Sequence, residues 1–137
     1  MRPDRLAVWG LTAIVIALLA VAFVQTGGPA AGRAEARDAA RLSDLRDLQR
    51  FVVCVARKSG THSLPGTLAP VDACPDITPR EDRFTGTPYR YERLTDTTFR
   101  LCASFDVPER IPRAAAYSDA PFDPETGCLT GAYMPPG

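Results

Sequence analysis

Two different hydrophobic patterns divide the chain. From Leu6 to Val24 apolar residues continue for 19 positions without a charge. A helix of that length spans roughly 30 Å, about the hydrocarbon thickness of a bilayer. Gln25-Thr26-Gly27-Gly28-Pro29 then predicts a helix break, with residues 26–32 as a linker. From Arg33 to about Ser59 the pattern turns amphipathic. Leu42, Leu45, Leu48, Val52 and Val55 fall on one stripe, with arginines and aspartates on the other side. Asp38 with Arg41, and Asp47 with Arg50, can pair at i+3 for about 0.2–0.5 kcal/mol each. Gly60 supplies the stop.

Period-two alternation follows a loop-like stretch at 60–87, rich in Pro, Gly, Thr and Asp. Tyr89 and Tyr91 alternate with Arg90 and Glu92; Phe99, Leu101, Ala103 and Phe105 alternate with Arg100, Cys102, Ser104 and Asp106. The short link through Thr95-Asp96 suits an antiparallel hairpin. Residues 108–127 read mostly as loop, Cys128 to Tyr133 as a last strand, and Pro135-Pro136-Gly137 as an irregular tail. The expected fold class is α+β: an N-terminal transmembrane helix, then an amphipathic helix covering a small antiparallel sheet. The expected division is 1–5 cytoplasmic, 6–25 transmembrane, 26–32 linker and 33–137 extracytoplasmic domain.

Charge and composition narrow the partners. Basic and acidic residues number 16 each, so the formal charge is zero. That argues against nucleic acid, whose affinity comes largely from phosphate neutralisation. Arg2 and Arg5 precede the apolar run and place the N-terminus in the cytoplasm, although Arg33 and Arg37 follow soon after it. Trp9 stands at interfacial depth. Ala34-Glu35-Ala36 offers a small-x-small cleavage site, but the apolar run exceeds the about 7–15 residues of a signal-peptide core, so a retained anchor is expected. Gly10, Ala13, Ala17 and Ala20 line one side of that anchor, where small residues allow a second membrane helix to approach.

Four cysteines beyond a membrane segment suggest two disulfides, for which three pairings exist. The favoured one joins Cys54 to Cys74 and Cys102 to Cys128. The first would pin the helix end to the following loop, the second the central strand to the C-terminal segment. Cys102 stands in register opposite Phe99 and Phe105, so its bridge belongs on the face away from the aromatic core. Zinc is disfavoured, since there is no Cys-x-x-Cys and His62 is the sole histidine.

Candidate chemistry is sparse. His62 beside Ser59 and Ser63 lacks a third orienting group, so no catalytic residue is assigned. Asp119, Asp123 and Glu125 could supply oxygen ligands to calcium, but the same Asp, Pro and Gly spacing is ordinary turn chemistry. No phosphate loop or nucleotide fingerprint occurs, and no cofactor is expected.

An apolar N-terminal helix, a second amphipathic helix, Leu64-Pro65, and then Thr85-Gly86-Thr87-Pro88-Tyr89-Arg90-Tyr91 resemble the pseudopilin, or type IV pilin-like, plan. With Phe99-Arg100-Leu101-Cys102-Ala103-Ser104-Phe105 and Gly127-Cys128, the chain is similar to a group of bacterial single-pass proteins carrying such a pseudopilin-like extracytoplasmic domain. The resemblance spans roughly residues 33–130. It implies a pilin-like helix packed on a small antiparallel sheet, and a bridge between Cys102 and Cys128. The prepilin features needed for a polymer are missing: Asp4-Arg5 stands before the run, and no glutamate lies inside it.

The expected function is a non-enzymatic accessory or structural subunit of a larger bacterial membrane complex, photosynthetic or respiratory in kind. It would sit in the inner membrane, touching lipid and neighbouring subunits through its helix and its periplasmic domain. A pseudopilin-like component of a secretion or pilus system, and an extracytoplasmic ligand- or calcium-binding module, are the alternatives.

Overall fold

The computed structural model describes residues 3–74, 80–111 and 120–135. The chain divides into two compact units, Met1–Ala34 and Glu35–Gly137, with the boundary inside the second helix. In the first unit, α1 covers Pro3–Gln25. Every large apolar side chain from Leu6 to Val24 is exposed, and Trp9 keeps 70% of its surface. The helix is long and apolar enough to cross a membrane. The Thr12 hydroxyl donates back to the Val8 carbonyl at 2.9 Å, which pairs that polar group within the apolar run.

The expected linker is mostly helix. The second helix, α2, covers Gly28–Lys58, so residues 28–32 are helical and the interruption shrinks to Thr26-Gly27. Gly27 and Gly28 take positive φ values of 75° and 67°, which break the path of α1. Pro29 falls in the first turn of α2, where a missing N–H costs nothing, and Ala30 and Ala31 favour helix from there.

In the second unit four strands form one antiparallel sheet in the order β1-β2-β4-β3: Arg90–Arg93, Thr98–Cys102, Cys128–Ala132 and Phe122–Asp123 respectively. The β1–β2 hairpin pairs Arg93 with Phe99 and closes through Thr95-Asp96, as the alternation predicts. Strand β4 pairs with β2, setting Leu101 opposite Leu129 and Cys102 opposite Cys128. The short β3 was not expected, because 108–127 reads as loop; its two residues pair Phe122 with Leu129 and Asp123 with Cys128. A 3-10 turn covers Pro108–Arg110.

The apolar core lies between α2 and one face of this sheet. Leu45, Leu48, Val52 and Ala56 of the helix meet Phe99, Leu101 and Leu129, with Leu64, Tyr89, Ala120 and Tyr133 closing the cluster. The buried stripe shifts from the expected one at its end. Val55 is only half-buried, while Phe51 and Ala56 are buried. At 3.6 residues per turn a stripe drifts, and Ala56 rather than Val55 completes the i+4 step from Val52.

Both disulfides join the pairs favoured above. Cys54 and Cys74 have Cα atoms 6.0 Å apart; Cys102 and Cys128 stand directly across β2 and β4, 4.1 Å apart. The second bridge lies on the sheet face opposite Phe99 and Leu101. Gly127 leads into it with φ 65°, and a Cβ there would sit 2.6 Å from the Ala103 carbonyl oxygen. Only glycine fits that turn.

Candidate functional site

The polar groups of the second unit converge on a place that the helix pattern concealed. Asp38, Arg41 and Asp44 follow one another at i+3 on α2, and all three are buried. They continue the Leu45-Leu48-Val52 stripe toward the N-terminus rather than facing solvent. The Asp38–Arg41 pair is therefore the hub of a network, not the surface pair its spacing suggests.

Each bond has a structural target. Asp38 accepts Arg41 Nη1 at 2.7 Å and the backbone N–H groups of Asp106 and Val107 at 2.9 and 2.7 Å. Arg41 Nε donates to Asp82 at 2.8 Å, and its Nη1 reaches Asp106 at 3.0 Å. Asp82 also accepts the Phe84 N–H and the Thr85 hydroxyl, both at 2.9 Å. Asp44 accepts Arg83 Nη2 at 2.6 Å and the Tyr89 hydroxyl at 2.8 Å. The helix thus holds two separate loops, 82–89 and 105–107, by ionic hydrogen bonds. By contrast Asp47 and Arg50 form the exposed pair expected of i+3 neighbours.

Burial of Arg41 alone would disfavour its charge; the bonds to Asp82, Asp38 and Asp106 outweigh that and hold its pKa above the ordinary value. Burial likewise works against the Asp82 carboxylate, yet the Phe84 N–H, Arg41 and Thr85 hold it below the usual range. Asp106 is lowered chiefly by the bond from Arg37 at 2.8 Å. Burial, then the bond to Asp44, pushes the Tyr89 phenol up. These groups stay in fixed charge states near neutral pH, which suits architecture better than proton transfer.

The residues that carry the pilin-like resemblance have local roles here. Gly86 takes φ 69° in a turn whose Thr85 and Gly86 N–H groups donate to the Asp82 carbonyl. Pro88 bridges to Glu81, Tyr89 reaches Asp44, and Tyr91 donates to the Pro65 carbonyl at 2.7 Å. The stretch is a clamp between helix and sheet.

The remaining candidates are placed as follows. Asp119 lies outside the described residues. Asp123 uses its oxygens inside its own turn, accepting the Glu125 N–H at 3.0 Å and the Thr126 hydroxyl at 2.7 Å. The Thr126 hydroxyl, first, holds the Asp123 carboxyl below its usual range. Among the described residues no three acidic, His or Cys side chains gather in metal-binding geometry. At Asp123 those two bonds are the turn chemistry that the Asp, Pro and Gly spacing suggests. His62 is exposed with φ 48°, and Ser59 donates to the Ala56 carbonyl at 2.9 Å rather than to an imidazole. Gly10, Ala13, Ala17 and Ala20 are exposed along α1.

No family model matches the chain, and no match to it is found among curated proteins or solved structures.

Proposed function

We propose that this chain is a non-enzymatic accessory subunit of a larger bacterial membrane complex. One helix anchors it, and a periplasmic α+β domain makes contacts outside the bilayer. The observation that carries the proposal is α1, apolar on every side and exposed along its full length. Such a surface needs lipid or other membrane helices to cover it. Two further features support the reading. The most buried charged groups all serve as ties between helix and loops, and the two disulfides suit a domain outside the cytoplasm. Gly10, Ala13, Ala17 and Ala20 are the face through which α1 would meet a neighbour.

The test is gentle detergent extraction of native membranes, with a native gel and mass spectrometry. A band of high mass at fixed stoichiometry is the expected result, and Ala13→Leu with Ala17→Leu should release the chain from it. Migration alone, near its own mass, would end the proposal.

A second reading, a pseudopilin-like component of a secretion system, is favoured by one observation. The interruption between α1 and α2 is two residues long, far shorter than the linker expected from the glycines and proline. That reading requires trimming of the N-terminus by a prepilin peptidase. An intact Met1 on the membrane-bound protein excludes it.

A further inference from the structure

We draw no further inference here: the strongest candidate, the hollow between the N-terminal half of α2 and the turn at Pro108–Arg110, with Ala39, Leu42, Val107 and Ile111 in its lining, is an apolar surface for which nothing among the described residues shows what covers it.

Discussion

Gly131 faces Phe99 directly across β4 and β2, and a Cβ on Gly131 would lie 2.4 Å from the ring Cζ. Phe99 is completely buried, so the ring has no free space to move into. The aromatic side chain on β2 thus depends on the absence of one on β4.

Gly131→Ala should therefore destabilise the second unit by about 1–3 kcal/mol through overpacking. Thermal unfolding followed by near-ultraviolet circular dichroism would read this as a fall of about 4–8 °C per kcal/mol for a domain of this size. In a Phe99→Leu background the same change should cost measurably less, because the two residues share one space. Equal costs in both backgrounds would show that the contact is not what matters.

Arg41→Met removes the cation between Asp38 and Asp82 and leaves two buried carboxylates facing each other's loops without it. A loss of about 3–5 kcal/mol is expected, large enough to unfold a marginal domain. Arg50→Ala, which breaks only the exposed pair with Asp47, should cost under about 1 kcal/mol. Chemical denaturation of both variants side by side checks the contrast.

Acid should weaken the domain through the same network. Asp82 and Asp106 are held below the usual carboxylate range in the folded chain. The unfolded chain therefore takes up protons first as pH falls. Their contribution is complete above the unfolded value of about 3.9 and is lost as pH drops through the folded values. Thermal midpoints should stay level between neutral pH and about 5, then fall below about 4; Asp82→Asn should lower the plateau and flatten the acid limb. An unchanged acid limb in that variant would remove Asp82 from the account.

Replacing Cys102 and Cys128 together by alanine opens a loop of 26 residues. On chain entropy alone the loss is about 3 kcal/mol. The β2–β4 ladder flanks the bridge, so hydrogen exchange should rise first at Leu101, Ala103 and Leu129. Faster exchange confined to α2 would instead assign the bridge a role in helix packing.

Much of the architecture was legible along the chain because it rests on local periodicity. The uncharged run gave α1, the 3.6-residue stripe gave α2, and the alternation at 89–91 and 99–105 gave the β1–β2 hairpin. The glycine-proline break misled on length, since Pro29 falls where a first turn accepts it and the alanines after it extend the helix. Strand β3 was hidden because two residues carry no period; it exists only because β4 offers an edge beside it.

The sequence by itself determined the two helices, the β1–β2 hairpin and β4, where a helix long and apolar enough to cross a membrane lies, and which cysteines stand close enough in the chain to close modest loops. Only the tertiary structure decided the fate of Asp38, Arg41 and Asp44. Pattern rules send charges to solvent, since burying one alone is costly. Here the partners come from residues 82–89 and 105–107, dozens of positions away, and no local period records them.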